Sequence, residues 1–100
     1  MSEKLKNLIS LAFDGVLTRE DTAKAFEIIM SGDALESQIA AFLIALQKSG
    51  VNSEHILGSI SVMHNKMISV KTPAGSIDTC GTGGDGKSSL NISTAISFIL

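Results

Sequence analysis

Three glycines, Gly15, Gly32 and Gly50, cut the first half of the chain into segments, and each stands where an apolar pattern of helical period stops. Glycine past the last periodic residue marks a helix end, because it enters the left-handed conformation of the closing turn without a Cβ penalty. From Lys4 to Phe13, Leu5, Leu8, Ile9 and Ala12 recur at spacings of three and four and form one stripe, ended by Asp14-Gly15. Thr18 precedes Arg19, Glu20 and Asp21 as an N-cap with an acid three residues on, and Ala23, Phe26, Ile29 and Met30 follow on one face up to Ser31-Gly32. Asp33, with Glu36 three residues later, repeats the start signal for a third helix bearing Leu35, Ile39, Phe42, Leu43 and Leu46. Ala40, Ala41, Ile44 and Ala45 make that helix apolar nearly all round, which predicts burial on more than one side, by the bundle or by a partner. Asn52 or Ser53 caps a fourth helix, whose Ile56, Ile60, Met63 and Met67 are predicted to face the core.

After Val70 the texture changes. Lys71-Thr72-Pro73-Ala74-Gly75 contains the one proline of the chain and reads as a linker. Ser76-Ile77-Asp78-Thr79-Cys80 is β-like, a glycine-rich run follows, and from Asn91 the residues Ile92, Ala95, Ile96, Phe98, Ile99 and Leu100 describe a strongly apolar helix. The predicted fold is an α-helical N-terminal domain over residues 1–70, followed over 71–100 by the linker and the first strand-loop-helix of an α/β domain, the chain as a whole being mostly α. A strand needs neighbours to satisfy its ladder, so the second domain is expected to be incomplete here and the 100-residue chain to be inactive alone.

A formal net charge of −2 speaks against a basic nucleic-acid surface, so no nucleic acid is expected as a partner. The lone Cys80 allows no internal disulfide, and no Cys/His cluster has zinc spacing. The charged MSEKLKNLIS start lacks a signal-peptide core, and no apolar run approaches the roughly 20 residues that span a bilayer. These features predict a cytoplasmic protein without a membrane partner. His55 and His64 are expected to be structural or solvent-facing, Met63 and Met67 to be core, and Cys80 to be a small buried strand residue rather than a nucleophile.

Gly81 to Ser88 reads GTGGDGKS and fits the phosphate-loop pattern G-x-x-x-x-G-K-[ST]. Gly81, Gly83, Gly84 and Gly86 let successive N–H groups converge on one anion, and the helix that follows adds its own unpaired N–H groups. Asp85 fits a bare triphosphate cradle badly. A carboxylate about 4 Å from a phosphate charge is repelled by about 1 kcal/mol in water and about 4 at an effective dielectric of 20. The same acid is useful when a hydrated Mg²⁺ stands between it and the phosphates. The short, polar Ile77-Asp78-Thr79-Cys80 also lacks the continuous apolar run of a phosphate-loop strand, which leaves Lys87 a solvated loop lysine. Ser88, Ser89, Asn91, Ser93 and Thr94 crowd five hydrogen-bonding side chains together where one cap would suffice, and the surplus suggests a polar ligand and a hydrated cation.

Asp78 to Gly86, followed by Asn91-Ile92-Ser93-Thr94-Ala95, closely resembles the signature of the anthranilate phosphoribosyltransferases. Leu17-Thr18-Arg19-Glu20 and Gln38 to Leu46 resemble the same family's N-terminal domain, so the likeness covers nearly the whole chain. The resemblance implies transfer of a phosphoribosyl group from 5-phosphoribosyl 1-diphosphate to the anthranilate amine in tryptophan biosynthesis, with Mg²⁺ as cofactor and a homodimer formed through the helical domain. It places Gly81 where the two substrates meet, Gly84 and Asp85 on the diphosphate side, and Ser89, Asn91, Ile92, Ser93 and Thr94 around the rest of the site, with Ser93 a Mg²⁺ ligand. Lys87 and Ser88 fall where that family is not particular. The other readings are a pyrimidine nucleoside phosphorylase of the same fold, whose loop resembles S-T-G-G-V-G-D-K without Asn-Ile-Ser-Thr, a phosphate-loop triphosphatase, and a helical dimerisation module alone.

Overall fold

The computed structural model describes residues 3–81, 83, 86 and 91–100. Five helices lie among them: α1 Glu3–Phe13, α2 Arg19–Met30, α3 Glu36–Ser49, α4 Ser53–Lys66 and α5 Ile92–Ile99. Backbone contacts divide the chain into two units, Met1–Ile68 with α1 to α4 and Ser69–Leu100 with α5.

The helix stops lie at the glycines. At the end of α1, Gly15 has φ 70°; its N–H meets Ala12 O at 3.1 Å while Val16 N–H reaches Leu11 O at 3.1 Å. At the end of α2, Gly32 has φ 80°, and Asp33 N–H closes onto Ile28 O at 3.2 Å. Both are the paired closures that satisfy orphan carbonyls. Asp33 is therefore the tail of α2, and its expected role as a cap of α3 is corrected. Helix α3 starts two residues later than expected, with Leu35 at the cap position, where Gln38 Oε1 accepts the Leu35 N–H at 3.2 Å.

The other two starts follow reciprocal capping. Thr18 Oγ1 accepts from Asp21 N at 3.1 Å and Asp21 Oδ2 from Thr18 N at 3.3 Å. Of the two candidates for α4, Asn52 is the cap: its Oδ1 accepts from His55 N at 3.0 Å, and His55 Nδ1 accepts from Asn52 N at 3.3 Å. That pattern leaves the imidazole proton on Nε2, which donates to Leu17 O at 3.0 Å. His55 is buried and ties the α1–α2 connection to the start of α4, the structural role expected for it.

In the helical unit α1 packs chiefly on α3, and α2 on α4. Leu5, Leu8, Ala12, Leu17, Ala25, Phe42, Ala45 and Leu46 form the buried core, with Phe26 set edge-on to Phe42 at 6.1 Å. Arg19 forks onto Glu54, Nε to Oε2 at 2.8 Å and Nη2 to Oε1 at 2.9 Å. Lys66 meets Glu27 at 2.8 Å at the other end, so α2 and α4 run parallel.

The predicted inner face of α4 is wrong. Ile56, Ile60, Met63 and Met67 are exposed, and the helix instead turns His55, Gly58 and Val62 inward. Gly58 explains the inversion, because a Cβ there would lie 2.4 Å from Arg19 O and 3.0 Å from Thr22 Cβ. Two backbones this close admit only small residues at the crossing, and the large apolar side chains are left outside. On α3, Phe42 and Leu46 are buried as expected, whereas Leu35, Leu43 and Ile44 are exposed.

In the second unit, residues 76–80 run as irregular chain, and no strand occurs among the described residues. Pro73 and Gly75 make a turn closed by Ser76 N–H on Pro73 O at 3.2 Å. Asp78 Oδ1 accepts the Cys80 N–H at 2.8 Å. Cys80 is exposed, which corrects its expected burial: no strand among the described residues lies over the thiol.

Candidate functional site

The glycine segment and the start of α5 carry the expected site residues, and the described ones allow part of the site to be built. Asp78 sets the approach. By accepting the N–H two residues on, its carboxylate makes a local turn that directs the chain into Gly81. Gly81 then passes so close to the first turn of α5 that a Cβ on it would lie 3.1 Å from Ser93 Oγ. Gly83 and Gly86 hold φ of 68° and 70°, a conformation that side chains other than glycine rarely adopt.

Asn91 is the N-cap of α5, its Oδ1 accepting the Thr94 N–H at 3.0 Å. The carboxamide oxygen is thereby committed to the helix, and the NH₂ is the part of the side chain not used in the cap. Ser97 spends its hydroxyl on Thr94 O at 2.7 Å. Ser93 differs: half-buried one turn earlier, its hydroxyl makes no hydrogen bond among the described residues, so its lone pairs stay open to a ligand. Ile92 is exposed at the same end. The structure thus brings Gly81, Ser93 and the Asn91–Thr94 cap together. Gly84, Asp85, Lys87, Ser88 and Ser89 lie outside the described residues.

Among the described residues no group of three or more His, Cys, Asp or Glu could hold a metal by itself. A single hydroxyl suits a cation that keeps most of its water, as Mg²⁺ does, and not a zinc-like site. Asp78, absent from the expected site, is the residue that sequence reasoning underused; the signal was its position two before the glycine segment, where Asp forms local turns.

In the helical unit an open groove of about 490 Å³ runs between α1 and α2, lined by Lys4, Asn7, Leu8, Asp21, Lys24, Glu27 and Ile28. Its acids are used by the fold, Asp21 in the α2 cap and Glu27 in the pair with Lys66. No described helix is long and apolar enough to cross a membrane.

The sequence of the helical unit, and of the segment that follows it, is found again in known proteins. The model of the glycosyl transferase family, helical bundle domain, matches residues 4–67, and the chain belongs to that family. At the level of individual proteins, the chain is 47% identical over 96% of its length to an anthranilate phosphoribosyltransferase of a Bradyrhizobium strain, covering 29% of that protein. It is 46% identical over its whole length to the Rhizobium rhizogenes anthranilate phosphoribosyltransferase, of which it covers 30%. A Rhodopseudomonas palustris protein of the same name is 46% identical over 95% of the chain, which covers 28% of it. The chain therefore spans under a third of the length of these relatives. No solved structure matches it.

Proposed function

We propose that the protein carrying this chain is an anthranilate phosphoribosyltransferase, moving a phosphoribosyl group from 5-phosphoribosyl 1-diphosphate to the anthranilate amine in the cytoplasm. The observation that carries the reading is a 46% identity over an alignment that spans both units, to a protein of that name. The geometry agrees with it: a glycine backbone held against an uncommitted serine hydroxyl suits a phosphorylated ligand and a hydrated cation better than side-chain acid–base work.

The reaction breaks the bond from ribose C1 to the diphosphate oxygen while the amine nitrogen bonds to C1, and the amine proton leaves afterwards. Positive charge builds on the sugar and negative charge on the departing diphosphate, so the site must align two substrates and neutralise a leaving group. Gly81 brings its backbone to the place where the substrates meet. Gly84 and Asp85 serve the diphosphate side, and Ser89, Asn91, Ile92, Ser93 and Thr94 line the remainder. Ser93 would hold Mg²⁺, which would supply charge neutralisation there when bound. The exposed apolar faces of α3 and α4 support a homodimer through the helical unit.

The test follows anthranilate fluorescence in a full-length protein carrying this sequence. Anthranilate should be consumed only with phosphoribosyl diphosphate and Mg²⁺ together; turnover of ATP with anthranilate untouched refutes the assignment. Ser93→Ala should lower Mg²⁺-dependent turnover by about 10- to 100-fold, the usual loss on altering groups that orient a metal site. Lys87→Ala should change little, and the reverse order would favour the triphosphatase.

A further inference from the structure

We infer that Gly81 is a positioning residue whose missing side chain fixes the direction of the Ser93 hydroxyl, a role that rests on the transferase reading and adds to it. The two other described glycines of the segment, Gly83 and Gly86, are required by positive φ. Gly81 is not: its φ lies outside that region, so alanine is conformationally allowed there. What an added Cβ meets is Ser93 Oγ at 3.1 Å, with no other atom of the described residues outside its chain neighbours within 4 Å. That separation is a few tenths of an ångström inside ordinary contact, and the hydroxyl is the part free to give, by rotating about its Cα–Cβ bond. The backbone on both sides is held, by the Asp78 turn before Gly81 and by the Asn91 cap on Thr94 after Ser93. The strain of a methyl group therefore falls on the Ser93 rotamer. Since this hydroxyl makes no hydrogen bond among the described residues, nothing within the described chain holds it in place once it is pushed.

The consequence is a coupling between two residues twelve positions apart. Gly81→Ala acts as a partial removal of Ser93, and once Ser93 is alanine the same methyl group meets no oxygen. Calorimetric titration of phosphoribosyl diphosphate, with and without Mg²⁺, into the full-length wild type, Gly81→Ala, Ser93→Ala and the double variant measures it, with thermal unfolding as a check on folding. Gly81→Ala should weaken Mg²⁺-dependent binding by about 10- to 100-fold, in the range for misdirected metal-orienting groups. The double variant should be no weaker than Ser93→Ala alone. Losses that multiply in the double variant would show that the added methyl group meets the ligand itself and not Ser93, and would overturn the coupling while leaving the transferase reading in place. Unchanged binding in Gly81→Ala would overturn it equally. A wild type that shows no Mg²⁺-dependent binding would instead overturn the functional reading, and the inference with it.

Discussion

A single methyl group at position 58 separates two outcomes for the helical unit. Glycine inside a helix ordinarily costs about 1 kcal/mol against alanine, so Gly58→Ala would stabilise an isolated α4. In the bundle, that methyl would sit 2.4 Å from the carbonyl oxygen of Arg19, which is backbone and cannot rotate aside. Overpacking of this kind costs about 1–3 kcal/mol and sometimes more, and here the helices must part to relieve it. Gly58→Ala is therefore expected to lower stability, reading out as a lower urea midpoint with an unchanged slope. A raised midpoint would show that α2 and α4 are not in contact at Gly58. Beside it, Thr22 is fully buried with its hydroxyl bonded to Thr18 O at 2.8 Å, so even the polar residue of the crossing is satisfied locally.

Helix starts and stops were legible because they are written within a few residues. Thr18 with Asp21, Asn52 with the next turn, and Gly15, Gly32 and Gly50 act through bonds spanning three to five positions. Asp33 misled because two local uses of one residue, closing α2 or opening α3, look alike in sequence. The inward face of α4 was not legible, since large apolar residues at helical spacing outrank Gly58 in any periodicity argument, whereas the crossing distance is set by α2. Of the site, the glycine run and a helix start among Ser88, Ser89, Asn91, Ser93 and Thr94 could be read, but not which of them caps it, nor the approach of Gly81 to Ser93, because the loop between them carries no spacing rule. Helices α2 and α4 are also joined by the Arg19–Glu54 fork, where the hydrogen bonds from Arg19 hold the Glu54 carboxyl below its ordinary range. The pair's contribution is fully present above the unfolded Glu value of about 4.3 and is lost as pH falls through the lower folded one. Both side chains are half-exposed, so the effect is modest and salt-sensitive. The melting-temperature gap between wild type and Glu54→Gln should be open at neutral pH, narrow below about pH 4 and shrink in high salt. A gap that persists in acid would show that Glu54 acts by packing.

At the scale of the whole molecule, the close α2–α4 crossing has an external price: by turning Gly58 inward it turns Ile56, Leu57, Ile60 and Met63 out, each still about half exposed. Helix α3 adds Leu43 and Ile44. Covering the rest of a half-exposed side chain is worth about 1 kcal/mol, so pairing the α4 residues of two copies gains on the order of 8 kcal/mol. Association costs about 4–15 kcal/mol, which leaves pairing within reach and makes it depend on a few residues. One carboxylate buried without a partner costs several kcal/mol, enough to cancel most of that gain. Ile60→Glu is therefore expected to convert a dimer into a monomer in light scattering coupled to size-exclusion chromatography. Helical circular dichroism and the monomer's core should be intact, because Ile60 lies outside the buried cluster of Leu5, Phe42 and their neighbours. Val62→Glu gives the contrast: Val62 is buried inside the unit, so the same charge there should unfold the helical unit and not merely split it. A wild type that stays monomeric at high concentration, or an Ile60→Glu variant that still pairs, would remove α4 from the dimer contact.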